Sequence, residues 1–529
     1  MSAPFPLLRQ IAPLRERTFD VLVIGGGIYG AWTAYDAALR GLSVALIEQD
    51  DWASGTSSAS SKLIHGGLRY LEHYDFALVR HALGERRLLQ RMAPHLVQPL
   101  EFVLPVWKGP RASMWQLSAG LHLYDLLGGF SQPVPRHRRY SAAALRQEYP
   151  YVDPERLLGG FRYGDCQEDD ARMTLAVVAA AQGAGAWVAS RVQALELLRE
   201  DGTVCGARVH DRFGDARFEL RARCVVNAAG PWAPALAGAA APKVRRVKGT
   251  HLVLPAIPGC REAFLLTAQD GRVFFVIPWY GRTLVGTTEA DVEAPSADPT
   301  DEETRYLLAG ARSGLPGIEW TERDVLARFA GIRTLQAEDA ADPSAITREF
   351  EVTQPEPGHL LPIGGKFTTA RCDAIAVVDR VERALSRPHR AGATHRHPLP
   401  GCPETVETFP RWQQAMMPLL TRQGVDAESA QFLTQRHGQR IGRIGELLRE
   451  NRAWAQRLVP EAPFIAAEAV LAVRDEMALS LTDVLRRRLP LALVAPPPRA
   501  ALRAIAGLLA PELHRDPVEI IYEHDAAPA

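Results

Sequence analysis

The sequence is poor in lysine, balanced in charge and lacks long apolar runs. Only five of its 61 basic residues are lysine, and 61 acidic residues bring the formal net charge to zero. A zero net charge argues against a whole-chain electrostatic grip on nucleic acid. No stretch reaches about 18 consecutive apolar residues, so we expect no membrane-spanning helix. The N-terminal segment also lacks the apolar run and cleavage site of a signal peptide, which predicts a cytoplasmic protein.

Cysteine usage and overall composition further limit the class of protein to which this chain can belong. The six cysteines are scattered, with no C-x-x-C pair and no metal-like spacing with histidine, which predicts reduced thiols and no metal. The chain is 47% hydrophobic and 23% charged over 529 residues, which excludes a disordered protein. The basic stretches at 136–140 and 486–488 lack interleaved aromatic residues for base stacking, so we predict no nucleic-acid partner.

A strand–turn–helix–strand unit near the N-terminus is the most informative segment. The apolar run Phe19–Ile24 predicts a buried strand, GGGIYG follows at Gly25–Gly30, and a helical pattern continues to Gly41. A second apolar run, Ser43–Ile47, predicts a parallel strand that ends at Glu48.

The glycines of this turn fit dinucleotide binding. Gly25 permits the tight turn, Gly27 lets a pyrophosphate approach the backbone, and Gly30 lets helix and strand pack closely. The helix N-terminus offers N–H groups to phosphates, and Glu48 is placed to accept hydrogen bonds from a ribose. The alternative is a glycine-rich turn in an ordinary α/β domain. The stretch Asp50–Tyr74, rich in small and hydroxyl residues, favours a backbone pressed against FAD rather than a nicotinamide cofactor, although it could also be a surface loop.

Several runs of the chain resemble, in order, those of FAD-dependent glycerol-3-phosphate dehydrogenases of the D-amino-acid-oxidase-like superfamily. The runs are TSSASSKLIHGGLRYLEHY (Thr56–Tyr74), YGDCQEDDARM (Tyr163–Met173), VVNAAGPWA (Val225–Ala233), KGTHLVLP (Lys248–Pro255), FFVIPW (Phe274–Trp279), VGTTE, GIRTL (Gly331–Leu335), SAITRE and GGKFTTAR (Gly364–Arg371). The resemblance covers about residues 18–490. It implies oxidation of sn-glycerol 3-phosphate to dihydroxyacetone phosphate, with electrons passed to a membrane quinone.

The resemblance also implies the architecture. We expect an α/β fold with a discontinuous Rossmann-type FAD-binding domain, a mixed β-sheet substrate domain and a C-terminal all-helical domain. The predicted bounds are 18–92, 158–240 and 330–386 for FAD binding, 93–157 and 241–329 for substrate binding, 387–404 for a linker, and 405–529 for the helical domain.

Motif and resemblance together assign two sets of residues. The residues expected to contact FAD are Gly25, Gly27, Ile28, Tyr29, Gly30, Glu48, Thr56, Ser57, Ser60, Ser61, Leu63, Ile64, Gly66, Gly67, Val192, Ala229, Gly230, Gly364, Gly365, Lys366 and Thr368. Those expected on the substrate side of the flavin are His65, Arg69, Tyr70, His251, Arg333 and Lys366.

The substrate-side residues have proposed roles and ordinary alternatives. Arg69 and Arg333 would hold the phosphate or polarise the hydroxyl, because the guanidinium fork suits a phosphate. His251 is the leading general base, since an imidazole titrates near working pH, and His65 is the alternative. Taken singly, these arginines could equally form structural ion pairs, and His251 could be a core histidine. Val192 could present backbone groups to the adenine or be an ordinary strand residue.

Four positions depart from the family pattern and bear on the substrate. We expect Pro where Thr334 stands, Asp where Glu289 stands, Tyr where Ala370 stands and Asn where Tyr29 stands. These departures leave open another polyol phosphate, a hydroxy acid or an amine as substrate, and oxygen as acceptor. A flavoprotein that has lost turnover and serves as a binding partner is a third reading.

Membrane contact rests on one segment. Ala112–Phe130 is apolar and aromatic on much of its surface, and three arginines follow it, which is typical of an interfacial helix. A buried helix of the substrate domain explains the pattern equally well. The interfacial helix and the quinone acceptor together predict a peripheral protein on the inner face of the cytoplasmic membrane. Whether the protein forms a homodimer stays open.

Overall fold

The computed structural model describes residues 5–68, 75–109, 113–129, 134–296, 298–337, 349–403 and 405–526. Its strands are β1 (Thr18–Ile24), β2 (Val44–Ile47), β3 (Leu63–Ile64), β4 (Val97–Trp107), β5 (Arg138–Ser141), β6 (Leu157–Glu168), β7 (Trp187–Ala189), β8 (Val192–Glu200), β9 (Thr203–Asp211), β10 (Ala216–Asn227), β11 (Val244–Pro255), β12 (Ala263–Thr267), β13 (Val273–Trp279), β14 (Arg282–Gly286), β15 (Ala290–Asp291), β16 (Ala327–Gln336), β17 (Glu351–Glu356) and β18 (His359–Ile363).

The α-helices follow the same chain order. They are α1 (Ala12–Glu16), α2 (Ile28–Leu39), α3 (Phe76–Met92), α4 (Met114–Gly128), α5 (Ala142–Glu148), α6 (Asp170–Gly183), α7 (Ala233–Ala237), α8 (Asp301–Gly314), α9 (Ala370–Ala384), α10 (Phe409–Thr421), α11 (Ala427–His437), α12 (Ile441–Glu450), α13 (Ala466–Asp475), α14 (Leu481–Asp483), α15 (Leu491–Val494), α16 (Arg499–Leu513) and α17 (Pro517–Ala526).

The first sheet has the parallel core that a dinucleotide-binding unit requires. Its main path runs β17-β18-β10-β1-β2-β7, with β9 on β10 and β8 on β9, and the pairs that β1 makes with β2 and with β10 are both parallel. Helix α2 is buried on nearly every side because it packs between α6 and α9 over this sheet. The carboxyl ends of β1, β2 and β10 therefore lie side by side, where ligands of such sheets bind.

The second sheet is mixed and contains ten strands. Its path is β15-β11-β14-β13-β12-β4-β6-β3, with β16 paired to β11 and β5 paired to β6. Three of these strands, β3, β6 and β16, fall wholly or largely inside segments predicted for the FAD-binding domain, so the second sheet draws its strands from both groups of predicted segments. In this sheet β11 pairs antiparallel with β14 on one side and with β16 on the other, which joins strands that are far apart in sequence.

The C-terminal helices pack on the second sheet, and the segment that precedes them is bound to the end of α3. Phe464, Leu485 and Leu509 share one hydrophobic core with Phe102 and Ile277 of the second sheet. The segment predicted as a linker is tied to the body, because Leu399 is buried and its N–H donates to the carbonyl of Met92 at 2.9 Å. No helix in the described part of the chain has the length and apolar character needed to cross a membrane.

Candidate active site

A cavity of about 550 Å³ lies between the carboxyl ends of the first sheet and the face formed by β11 and β16. This volume is in the usual range for a cofactor site. The predicted residues that line it are Gly25, Gly27, Ile28, Tyr29, Glu48, Thr56, Ser57, Ser60, Ser61, Leu63, His65, Val192, Ala229, Gly230, His251, Arg333, Gly364, Gly365, Lys366 and Thr368.

The glycine turn is shaped by close backbone contacts. Gly25 has φ +112°, and a Cβ there would lie 2.5 Å from the carbonyl oxygen of Ala228. A Cβ on Gly30 would lie 1.9 Å from the carbonyl oxygen of Gly25, so any side chain would force helix α2 away from β1. Gly27 faces the cavity, where a Cβ would meet the hydroxyl of Ser57 at 3.0 Å. The glycines of the turn leave space in which a pyrophosphate can approach the backbone, and side chains at these positions would fill that space.

Glu48 stands at the end of β2, at the edge of the cavity. Its Oε2 accepts a hydrogen bond from the Gly26 amide at 2.6 Å, and its Oε1 accepts one from the Asp50 amide at 2.9 Å. Burial raises the pKa of Glu48 to about 7, although these two backbone hydrogen bonds oppose the shift. A buried carboxyl at this place has acceptor capacity for the hydroxyls of a ribose.

The hydroxyl-rich run after β2 is held from both sheets. Thr56 donates to the carbonyl of Ile332 at 2.7 Å, and Ser57 accepts from the Ile28 amide at 2.9 Å. Ser60 donates to Asp170 at 2.7 Å, so its hydroxyl already has a protein partner. The run forms one wall of the cavity rather than a surface loop, up to the residues at 69–74 that lie outside the described part.

His251 lies on the second sheet with its ring fixed on both faces. The ring is parallel to that of Phe329, with centroids 5.0 Å apart, and a Cβ on Gly286 would lie 2.3 Å from its Cδ2. Its Nε2 lies 2.9 Å from Oγ of Ser61. Burial, and then the charges of Lys62 and Arg333, lower the pKa of His251 to about 3. The expectation that this ring titrates near working pH is therefore wrong for the protein without substrate, where the imidazole is neutral.

Arg333 faces the cavity from β16, beside His251. Its guanidinium lies against Gly249, where a Cβ would come within 3.1 Å of Nη2, and its Nη1 is 3.7 Å from Oε1 of Glu289. The cross-strand register places Gly249 opposite Gly331, and the hydroxyl of Thr287 also lies against Gly249, where a Cβ would come within 2.4 Å of its Oγ1. Lys366 lines the same cavity from the turn after β18.

Some predicted contacts lie elsewhere. Arg69 and Tyr70 fall outside the described residues. Gly30, Ile64, Gly66 and Gly67 do not line the cavity: Ile64 is fully buried in the first core, and the Gly66 amide donates to the hydroxyl of Tyr124 at 2.9 Å. These four residues pack behind the residues that line the cavity, so only part of the motif faces the cofactor site.

The structure also adds lining residues that sequence reasoning missed, among them Gln49, Ser54, Gln193, Trp232, Leu236 and Phe350. Most neighbour a predicted residue in sequence, so the available signal was adjacency to the motifs. Phe350 has no such signal, and its position is set by stacking on Tyr29, with ring centroids 5.4 Å apart.

The four departures from the family pattern occupy distinct places. The Tyr29 hydroxyl donates to Asp373 at 2.7 Å, and Gly365 makes room for it, because a Cβ there would lie 1.7 Å from that hydroxyl. Thr334 lines the cavity, Ala370 is fully buried, and Glu289 is the acid next to Arg333.

Comparison with known proteins places this site in a family. Residues 20–358 match the model of the FAD dependent oxidoreductases, and residues 392–520 match the C-terminal domain of alpha-glycerophosphate oxidase. A glycerol-3-phosphate dehydrogenase of Synechocystis sp. is 36% identical over 92% of this chain and 91% of its own length. The glycerol-3-phosphate dehydrogenase of Pseudomonas aeruginosa is 36% identical over 92% of this chain and 94% of its own length.

Solved structures agree with the fold. The glycerol-3-phosphate dehydrogenase of Bacillus halodurans complexed with FAD superimposes with a TM-score of 0.78 at 27% identity, covering 97% of this chain and 95% of that one. The fold and its cofactor, FAD, are thus as the sequence predicted. With the glycine turn, the buried Glu48 and a cavity of adequate size in place, the chain belongs to the glycerol-3-phosphate dehydrogenase family of FAD-dependent oxidoreductases.

Proposed function

We propose that this chain oxidises sn-glycerol 3-phosphate to dihydroxyacetone phosphate and passes the electrons to a quinone. The observation that carries the proposal is the set of groups that line one cavity: His251 and Arg333 on the second sheet, and Lys366 on the turn after β18. A phosphate monoester needs fixed cations, and a secondary alcohol needs a group that takes its proton. When bound, the flavin supplies the hydride acceptor.

Arg333 suits the phosphate because its guanidinium faces the cavity against the small residue Gly249, with Oε1 of Glu289 3.7 Å from its Nη1. The planar fork can form two parallel hydrogen bonds to phosphate oxygens. Lys366 adds a compact positive charge to the same cavity. The departures at Glu289 and Thr334 leave this cation in the cavity, which supports a phosphorylated substrate over an amine.

His251 is our proton acceptor, with Ser61 fixing its orientation at 2.9 Å. In the absence of substrate the ring is a weak base, because its pKa lies at about 3. A phosphate on Arg333 would neutralise one of the charges that depress this pKa and add negative charge of its own, and both changes favour the imidazolium. Substrate binding therefore raises the basicity of the ring in the complex where the proton must move.

The substrate proposal is tested by turnover with an artificial electron-accepting dye. We expect sn-glycerol 3-phosphate to support dye reduction, and glycerol, which lacks the phosphate, to support it at least about 100-fold less efficiently in kcat/KM. Equal efficiency with glycerol, or activity only with an amine such as glycine, would refute the role of the cations. Release of hydrogen peroxide in air at the rate of dye reduction would replace the quinone by oxygen as acceptor.

Helix α4 supports peripheral contact with a membrane that carries the quinone. Trp115 and Leu126 are 71% and 63% exposed, whereas Leu121 and Tyr124 of the same helix are buried against the body. An exposed tryptophan and leucine on one helix suit the interface of a bilayer. We expect the protein to sediment with vesicles rich in anionic lipid, and Trp115→Ser to release it. Phe213→Ser, which removes an exposed aromatic in the turn between β9 and β10, should leave binding unchanged.

A further inference from the structure

Two arginines of the C-terminal helical region fix the loop that follows β2. Oδ2 of Asp51 accepts hydrogen bonds from Nε of Arg487 at 2.5 Å and from Nη1 of Arg488 at 2.7 Å, and Oδ1 accepts from Nη2 of Arg488 at 2.8 Å. The side chains of Asp51 and Arg488 are each 1% exposed. Burial would raise the pKa of Asp51, but Arg488 and Arg487 lower it below its usual value. Asp51 thus makes buried ionic contacts with two arginines that lie 436 and 437 positions further along the chain.

The same C-terminal segment holds a second loop of the first sheet. Asp483 accepts hydrogen bonds from Nη2 of Arg191 at 2.7 and 3.0 Å, and from Nη2 of Arg487 at 2.5 Å. Arg191 precedes β8, and its amide donates to the carbonyl of Asp50 at 2.9 Å. Arg487 therefore contacts both carboxylates and connects the two loops through charge-assisted hydrogen bonds, which are the strong class.

Both loops flank one end of the FAD cavity. Glu48 and Gln49 line it from the start of the first loop, and Val192 and Gln193, the first residues of β8, line it directly after the second loop. Trp52, next to Asp51, packs on the glycine turn: a Cβ on Gly26 would lie 2.4 Å from its ring. A shift of the Asp51 loop would therefore move the groups that face the ribose and the pyrophosphate.

We propose that Asp483, Arg487 and Arg488 are positioning residues for the adenosine end of FAD, so that the C-terminal helices set the affinity for the cofactor. None of these three side chains is among the described residues that line the cavity. They act by holding the two loops at a fixed separation before the cofactor arrives, which removes an ordering cost from binding. This role depends on FAD binding and is independent of which substrate the enzyme oxidises.

The direct test is Arg487→Gln. Arg488 stays on Asp51 and Arg191 stays on Asp483, so neither carboxylate loses all its partners. We expect the Kd for FAD to rise about tenfold, as for the loss of a charged hydrogen bond. ADP, which carries the adenosine end alone, should lose affinity by a similar factor when it competes with FAD. The reduction potential of the bound flavin should not move.

Arg282→Gln is the matched control. Arg282 joins the second sheet to the same helices, through the carbonyls of Val494 at 2.7 Å and Glu461 at 3.3 Å, and touches neither cofactor loop. It should lower the melting temperature while leaving the Kd for FAD unchanged. An unchanged Kd in Arg487→Gln, or an equal rise in both variants, would overturn the proposal.

A measurement on the unmodified protein covers the case in which a variant does not fold. Hydrogen exchange of the backbone amides at 484–488 should slow when FAD is added to the apoprotein, because the loops and this segment are ordered together. Exchange at 484–488 that is the same with and without FAD, while amides of the glycine turn become protected, would contradict the coupling.

Discussion

At the scale of single residues, the proposed chemistry depends on the positions of two cations, Lys62 and Arg333, relative to the imidazole of His251. Lys62 is bound to Asp170 at 2.6 Å, yet it and Arg333 both lower the pKa of His251. The ring is neutral in the free protein and able to accept a proton. Its resting pKa of about 3 makes it a weak acceptor until an anion arrives beside Arg333.

His251→Asn should lower kcat by about 10²–10⁴-fold, the usual contribution of a positioned general base. The flavin should stay bound, because the glycine turn and Glu48 are untouched. In the wild type, kcat/KM should show no acid limb from His251 above about pH 5, since the ring is already neutral in the free enzyme. Rapid-mixing kinetics across pH measures both. A larger loss in His65→Asn than in His251→Asn would transfer the role of base to His65.

Arg333→Gln should raise KM for the phosphorylated substrate by about 10–100-fold, as expected for the loss of charged hydrogen bonds. Arg245→Gln, which removes an arginine paired with Asp291 on the exposed side of the same sheet, serves as the control. Steady-state kinetics with the dye separates KM from kcat. A KM unchanged in Arg333→Gln would remove this residue from the phosphate site.

The types of residue in the candidate site could be predicted from the sequence, but their arrangement in space could not. His251 and Arg333 were accessible because they sit in distinctive runs. The contact of Ser61 with His251 joins positions 190 apart, and the approach of Arg333 to Gly249 depends on cross-strand register, which no local pattern encodes. The neutral state of His251 also escaped prediction, because it follows from burial in the assembled fold.

At the scale of elements, the first βαβ unit and its glycine turn matter most. Strands β1 (Thr18–Ile24) and β2 (Val44–Ile47) formed within one residue of the predicted positions because their apolar runs are short and local. The second sheet could be predicted only as a mixed stretch, since β4 pairs with β6 and β12 across long sequence separations.

Gly30→Ala should abolish FAD binding or lower the free energy of unfolding by about 1–3 kcal/mol, because the new Cβ would collide with a backbone oxygen. Gly84→Ala on α3 is the control: its Cβ meets nothing within 4 Å, and alanine is the better helix former. Denaturant unfolding with and without FAD reports both effects. Normal stability and FAD affinity in Gly30→Ala would contradict the close packing of α2 on β1.

Helices α11 and α13 are joined by a buried charge cluster. Glu468 accepts hydrogen bonds from Nε of Arg436 at 2.7 Å and lies 2.9 Å from Nε2 of His437. Burial would raise the pKa of Glu468, but Arg436 and His437 lower it to about 2. Because the folded-state pKa is depressed, the cluster stabilises the fold above about pH 4.5, and this contribution is lost as the pH falls toward 2.

Glu468→Gln should therefore lower the free energy of unfolding at pH 7 by about 3–5 kcal/mol, the usual cost of leaving a buried charge without its partner. Glu446→Gln, which removes an exposed carboxylate paired with the partly exposed Arg443, should change stability by less than about 1 kcal/mol. Urea unfolding at pH 7 and pH 3 compares them. A difference between Glu468→Gln and wild type that stays the same at both pH values would contradict the assigned pKa.

At the scale of the whole molecule, three parts meet at one cavity. The first sheet supplies the dinucleotide turn, the second sheet supplies His251 and Arg333, and the C-terminal helical region holds the loop after β2, which we propose to position the adenosine end of FAD. The order of the motifs along the chain made the first two parts predictable. The contribution of residues 483–488 was not, because their partners lie about 290 to 440 positions away and the stretch itself reads only as a basic patch.

The central claim is that one cavity brings FAD and a phosphorylated secondary alcohol together. The most direct measurement is an anaerobic titration of the FAD-loaded protein with sn-glycerol 3-phosphate, followed through the visible absorbance of the flavin. The account predicts prompt bleaching by the phosphorylated alcohol and none by glycerol at the same concentration. A flavin that remains oxidised with sn-glycerol 3-phosphate, or that is bleached equally by glycerol, would contradict it.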